Sequence, residues 1–333
     1  MSQSSGAPPS AESPPSDEPA RPAEPALSAA PALSHEPARN GAEPVRYGDA
    51  LAVVTVTYSP GDSLTAFLDS LRTATTRPYT VVLADNGSVD GAPERAAAER
   101  DGVSLLRIGE NIGYGSGANR GVAELGPEVG WVVVANPDLV WGPGSLDELL
   151  AAAERTPRAG ALGPLIRDAD GTVYPSARLL PSLGRGIGHA VFGALWPANP
   201  WTRAYRQSEG SVEERDAGWL SGSCLLLRRT AFDSVQGFDS RYFMYFEDVD
   251  LGERLTGAGW RNRYVPSAEV VHTGGHATTA NHDVSARMLA EHHRSAYRYL
   301  ADHYAGPGWA PVRLVLRAGL GARSALAVRR ASR

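Results

Sequence analysis

The chain changes character at Leu51, and the residues beyond that point leave few folds open. The run Leu51-Ala-Val-Val-Thr-Val-Thr-Tyr58 is β-branched and apolar, the pattern of a strand buried on both faces. From there short apolar runs alternate with helix-length stretches. Strands are expected at 51–57, 79–84, 103–108 and 131–135, and helices at 62–74, 91–100, 116–125 and 144–155. Strand–helix repetition requires right-handed crossovers and therefore a parallel sheet. The expected fold class is α/β, a Rossmann-like, mostly parallel sheet flanked by helices. From about 160 to 275 the pattern is more mixed, with strands at 219–227 and 261–265 flanking a helix at 248–258.

Residues 1–47 differ in kind. They are rich in Pro, Ala, Ser and Glu and carry no aromatic residue before Tyr47. Such a segment buries too little apolar surface to offset its ordering entropy and reads as a disordered tail. The main domain then spans 48–277, and a helical region follows at 278–333. From Trp309 that region carries Arg313, Arg317, Arg323, Arg329, Arg330 and Arg333 with no acid, as a membrane-surface helix would. An ordinary terminal helix with a solvated charged face has the same composition, and Gly319 and Gly321 weaken any helix.

Composition excludes several classes. The formal net charge of −5 argues against a nucleic-acid partner. The single cysteine, Cys224, rules out an intrachain disulfide and fits a reducing compartment. Lysine is absent, which removes P-loop and Schiff-base chemistry. No secretory signal and no apolar run of about 18 residues is found, so no spanning helix is expected. The expected location is cytoplasmic, on the inner face of the membrane if the C-terminal region binds there.

In α/β sheets ligands bind beyond the carboxyl ends of the strands. The second strand ends in Asp85-Asn86-Gly87-Ser88, where a carboxylate at the strand edge suits a base or ribose; Asp90 reads better as a helix cap. After the third strand comes Asn111-Ile-Gly-Tyr-Gly-Ser-Gly-Ala-Asn119. Its glycines admit a close backbone approach, and the following helix N-terminus favours phosphate. Gly113-x-Gly115-x-x-Ala118 also satisfies a dinucleotide fingerprint, with Asp138 roughly 20 residues on, but that fingerprint normally follows a domain's first strand. The fourth strand runs into Asn136-Pro137-Asp138, a turn or a carboxylate for a divalent cation. Glu247-Asp248-Val-Asp250 opens a helix among aromatic residues and offers a general base, or else N-terminal capping. Val270-Val-His272-Thr-Gly-Gly-His276 places two histidines beside a glycine pair, and His272 is a candidate metal ligand.

Each motif is unspecific alone. The ordered set Thr57-Tyr58, Asp85-Asn86-Gly87-Ser88, Asn111 to Asn119, Asn136-Pro137-Asp138, Glu247-Asp248-Val-Asp250 and His272 resembles glycosyltransferase family 2, with the GT-A fold, over about residues 50–277. Its wording is most similar to the rhamnosyltransferase branch, in particular the actinobacterial enzymes that act on polyprenyl-diphosphate-linked N-acetylglucosamine. The resemblance implies an inverting transfer of a sugar, L-rhamnose from dTDP-rhamnose, to a hydroxyl of a lipid-linked saccharide in cell-wall or polysaccharide assembly. It implies Asp248 as base with Glu247 in support. Donor contacts would come from Thr57, Tyr58, Asp85, Asn86, Asn111, Gly113, Gly115, Asn119 and Asn136. A divalent metal, Mg2+ or Mn2+, would sit at Asp138 and His272. Asn136 stands where the family's metal-binding Asp-x-Asp has its first acid, which leaves fewer charged ligands. The rival readings are a nicotinamide-dependent oxidoreductase using the Gly113 fingerprint and a non-catalytic sugar-nucleotide-binding module.

Overall fold

A computed structural model describes residues 45–181, 212–274 and 282–331. His276, most of the N-terminal tail and the expected boundary at 277 lie outside them. The first half follows the expected order closely: β1 (Ala50–Thr57), α1 (Ser63–Ala74), β2 (Tyr79–Asp85), α2 (Ala92–Glu99), β3 (Val103–Arg107), α3 (Tyr114–Ala123), β4 (Val129–Ala135), β5 (Leu139–Trp141) and α4 (Ser145–Arg155). The second half contains β6 (Ala159–Asp168), β7 (Val173–Tyr174), β8 (Ala177–Arg178), β9 (Arg215–Ala217), β10 (Trp219–Leu220), β11 (Cys224–Arg228), α5 (Arg229–Ser234), α6 (Glu247–Gly257) and β12 (Arg261–His272). Two long helices close the chain, α7 (His282–His303) and α8 (Ala310–Ala331).

The main sheet has the order β3-β2-β1-β4-β11-β6-β12-β5. β1 to β4 pair in parallel and β6 pairs in parallel with β12, while β11 runs against both β4 and β6. Strand alternation divides the core into two layers. Leu51, Val53, Val81, Leu83 and Val133 face α1 and α4, whose Leu64, Phe67, Leu71, Leu146 and Leu149 are fully buried. Ala52, Val54, Val56, Val82 and Ala84 face the other way, toward α3, α5 and α6. Both faces are therefore covered, as the unpatterned strand runs require.

The expected strand at 219–227 is two strands, because Ser221-Gly222-Ser223 makes a turn between β10 and β11, with Cys224 N–H donating to Ser221 O at 3.4 Å. The expected strand at 261–265 continues to His272 past a register shift between Val265 and Glu269. Pro266 lies inside that shift and has no N–H to give the ladder. At the N-terminal edge Tyr47 already packs on the domain: its hydroxyl donates to Asp233 and the Arg229 guanidinium covers its ring at 5.1 Å. α8 is helical through both Gly319 and Gly321.

Candidate active site

The ends of β1, β2 and β4, the Ser221–Ser223 turn, the start of α6 and the end of β12 are tied to one another by hydrogen bonds. Asn136 N–H donates to Ser223 O at 2.9 Å, and neighbouring Gly222 N–H donates to Asp248 Oδ2 at 2.9 Å. The Tyr114 hydroxyl donates to Gly222 O at 2.6 Å. One turn therefore joins the segment carrying Asp138 to the segment carrying Asp248. Neither Gly222 nor Tyr114 stood out in the sequence; the break that Ser-Gly-Ser makes in an apolar strand was the available signal.

Glu247 and Asp248 occupy the first turn of α6, where the helix dipole favours acids. The chain enters that turn through Tyr245 and Phe246, both left-handed at φ 67°. Non-glycine residues held there cost about 1–3 kcal/mol each, so the surrounding packing must enforce the geometry. Burial raises the Asp248 pKa, opposed by the N–H donors of Gly222 and Val249 and by the charge of Arg178. Glu247 is 6% exposed, and its Oε2 has no hydrogen-bond partner. Burial first, and the Asp248 charge second, push its carboxyl up to about 8. Both carboxyls of the pair are thus held above the ordinary carboxylate range, Glu247 by burial and by its charged neighbour, Asp248 by burial. The third acid is engaged elsewhere: Asp250 pairs with Arg254 at 2.7 Å, and Arg254 also donates to Val235 O and Gly237 O.

Asp138 and His272 lie 134 residues apart in sequence, yet Oδ1 and Nε2 are 3.0 Å apart, with the Asn136 amide nitrogen 3.5 Å from the same Nε2. β12 brings them together, since His272 pairs with Leu139 next to Asp138. Among the described residues no group of three acids, cysteines or histidines forms a complete metal cage. A carboxylate and an imidazole fit a divalent cation that takes its remaining ligands from water and a diphosphate.

The nucleotide-side residues divide. Asp85 is 3% exposed, and its carboxylate accepts hydrogen bonds from Thr57 Oγ1 at 2.8 Å, from the N–H groups of Gly87 and Ser88, and from the Ser88 hydroxyl. Asn86 Nδ2 donates to Gly113 O at 3.1 Å and to Asn111 Oδ1 at 3.3 Å, joining the β2 end to the glycine loop. Tyr58 stands 62% exposed beside them. Asp90 accepts from Ala92 N–H and Gly61 N–H and lies one residue before Gly91, which holds the cap position of α2 in a left-handed conformation.

Three of the expected donor contacts make close contacts within the protein itself. A Cβ on Gly113 would overlap the Phe243 carbonyl, and one on Gly115 would meet Phe238 Cβ at 2.8 Å. Tyr114 N–H, at the helix N-terminus, already donates to Phe243 O at 3.0 Å. Close approach of protein alone therefore accounts for both glycines, and the fingerprint needs no dinucleotide to explain it. Asn119 uses both ends of its amide on the Phe238 main chain, at 2.7 and 2.9 Å, which makes it a clamp on the fold.

Residues 52–236 match the family described as Glycosyl transferase family 2. The chain belongs to that family and is a glycosyltransferase. It is 58% identical over 290 residues to the N-acetylglucosaminyl-diphospho-decaprenol L-rhamnosyltransferase of Mycobacterium tuberculosis, covering 84% of this chain and 94% of that protein. The rhamnosyltransferase WbbL of Escherichia coli is 26% identical over 266 residues, 75% of this chain and 92% of that one. Among solved structures, a mannosyltransferase from Pyrobaculum calidifontis in complex with GDP-Man and Mn2+ aligns with a TM-score of 0.53 at 18% identity, over 86% of this chain and 74% of that one. These likenesses establish a GT-A-like fold. Glu247 and Asp248 lie beyond the stretch that matches the family description.

Proposed function

We propose that this glycosyltransferase moves L-rhamnose from dTDP-rhamnose to a hydroxyl of N-acetylglucosamine carried on a polyprenyl diphosphate, with inversion. The carrying observation is the Glu247–Asp248 pair at a strained helix entrance, with Glu247 buried and its Oε2 without a hydrogen-bond partner, and Asp248 held by the N–H groups of Gly222 and Val249. The choice of sugar and acceptor is supported by the 58% identity to the mycobacterial enzyme. Asp248 takes the acceptor proton as the acceptor oxygen bonds to the anomeric carbon, and the bond from that carbon to the diphosphate oxygen breaks. One displacement inverts the centre. Asp85 and Asn86 shape the nucleotide end. Asp138 and His272 would hold a divalent cation, which when bound neutralises charge on the leaving diphosphate.

The acceptor lipid implies work at a membrane surface. No helix among the described residues is long and apolar enough to cross one. α8 packs on α7, with Val312, Leu316 and Leu320 half-buried, while Trp309, Leu314, Val315, Arg317 and Arg323 lie exposed. The surface offered to lipid is therefore Trp309, Leu314 and Val315 rather than the Leu316–Leu320 row. The arginines would add about 1 kcal/mol each near an anionic leaflet, screened by salt.

The test is transfer from a panel of nucleotide sugars to short-chain polyprenyl-diphosphate-linked N-acetylglucosamine. We expect dTDP-rhamnose to be the preferred donor, an inverted product, loss of transfer on chelation and recovery with Mg2+ or Mn2+. A retained anomeric configuration would overturn the displacement, and refusal of dTDP-rhamnose would overturn the sugar assignment. Full activity in excess chelator would reduce Asn136-Pro137-Asp138 to a turn.

A further inference from the structure

The strap that presents the base pair is braced by a helix outside the sheet. α7 touches the 241–253 segment at each step. Asp302 pairs with Arg241 at 2.9 Å, and the Ser295 hydroxyl donates to Met244 O at 2.9 Å. The His292 ring meets Tyr245 at 5.3 Å and Phe246 at 5.6 Å, both edge-on, and the Tyr299 ring meets Phe246 at 5.6 Å. Farther along, His303 Nδ1 lies 3.0 Å from Glu253 Oε1 on α6. From the opposite side the α3 entrance holds the same strap, with Tyr114 N–H donating to Phe243 O. Two adjacent carbonyls, Phe243 and Met244, are thus gripped from two directions just before the two left-handed residues.

Left-handed Tyr245 and Phe246 would relax toward ordinary backbone if released, and the entry angle of α6 would change with them. Neither residue is a glycine that would tolerate the conformation. The rings of His292 and Tyr299 lie against the two side chains whose backbone is strained. We infer that α7 is a positioning element for the transfer reaction: His292, Ser295 and Tyr299 hold the strained Tyr245–Phe246 turn in the conformation that aims Asp248 at the acceptor. This rests on the reading of Asp248 as base. His292 acts by ring packing and not by its charge: the residue keeps an exposed edge while its ring lies on Tyr245 and Phe246, and desolvation of the ring, the neighbouring His293 and the Arg323 charge lower its pKa.

The test compares His292→Ala, His292→Phe and Ser295→Ala in the full chain, beside Asp248→Asn, by kcat, donor affinity from titration with dTDP-rhamnose, and melting temperature. A group displaced by about 1 Å can cost ~10²-fold, so a partial shift of Asp248 should lower kcat by ~10-fold or more. We expect that loss in His292→Ala with donor affinity within about twofold, a smaller loss of the same kind in Ser295→Ala, and recovery in His292→Phe, which restores a ring. A wild-type kcat in both His292→Ala and Ser295→Ala overturns the inference. So does a parallel fall of kcat, donor affinity and melting temperature, or a failure of His292→Phe to recover. Near-normal transfer in Asp248→Asn would instead sink the base assignment and leave a purely structural brace.

Discussion

Two carboxylate sites stand in this region of the molecule, and they are built in opposite ways. At the end of β2, Asp85 is surrounded by donors: the Thr57 hydroxyl, two main-chain N–H groups and the Ser88 hydroxyl. At the start of α6, Glu247 is buried and Asp248 half-buried, and both are poorly supplied. Asp248 has two N–H donors, and one Glu247 oxygen has none. The backbone differs too. The Asp85 turn uses a glycine, Gly87 at φ 95°, for its left-handed position, whereas the α6 entrance forces Tyr245 and Phe246 into that region. A saturated carboxylate organises its surroundings, because a hydrogen bond already made resists being remade. An under-supplied one keeps its capacity to take a proton, at a cost in stability. The contrast supports the proposal of shape for the first site and proton transfer for the second.

The strongest way to break the contrast is Asp248→Asn, which is nearly isosteric and removes only basicity. Transfer should fall by ~10²-fold or more while donor affinity stays within a few-fold. Initial rates beside a donor titration check it, and near-normal transfer removes Asp248 from the mechanism. Asp85→Asn probes the other site. It turns an amide N–H₂ toward groups that themselves donate, so stability should fall by about 1–3 kcal/mol, with donor affinity falling alongside. Thermal unfolding reads this directly. An unchanged melting temperature with a sharp loss of donor affinity would make Asp85 a ligand contact and no organiser.

A subtler prediction concerns pH. The folded-state pKa of Glu247 is raised from 4.5 to about 8. A raised pKa means the folded state holds its proton longer, so the stabilisation is complete below the ordinary carboxylate range. It is lost as pH rises through that range toward about 8. Glu247→Gln cannot ionise there, and its melting temperature should decline less with pH over that window than that of the parent. Asp248 is also raised, and it works ionised, so transfer should fade on acidification at a pH above that of an ordinary aspartate. Parallel melting curves for parent and variant would show that Glu247 does not carry the shifted proton.

The sequence revealed the strands and the acids better than their surroundings. β1, β2 and β4 are mostly apolar runs, and their ends drew attention to Asp85 and Asp138. β6 escaped because Gly160, Gly163 and Pro164 break up its apolar run, although it lies buried inside the sheet. Asp138 and His272 were each singled out separately, and only the long β12 shows that they meet. The glycine loop is ambiguous for a physical reason: close approach reads the same in sequence whether the partner is a phosphate or Phe243. Asn119 is ambiguous likewise, since an amide that clamps Phe238 is indistinguishable from one that binds a sugar. The strained Tyr245–Phe246 turn left no signal, because tertiary packing from α7 enforces it against local preference.

The smallest expected effects come from placing the same methyl group in each region. At Gly222 a Cβ would sit 3.3 Å from Asp248 Cβ, 3.5 Å from Asp248 Oδ2 and 3.6 Å from Tyr114 Cε1, close but tolerable, and φ there is not left-handed. Gly222→Ala should keep the melting temperature and donor affinity, and shift Asp248 by a few tenths of an ångström, lowering kcat by about two- to tenfold. At Gly87 a Cβ would meet only ordinary contacts, the nearest Gly109 O at 3.6 Å, but φ is 95°. Gly87→Ala should therefore cost stability, by roughly 1–2 kcal/mol from the backbone alone, with kcat little changed. One substitution then separates the two sites by what it damages, rate at the base and stability at the nucleotide turn. Rate and stability falling together in both variants would mean that the two carboxylate sites share one role, and the division between shape and proton transfer would be lost.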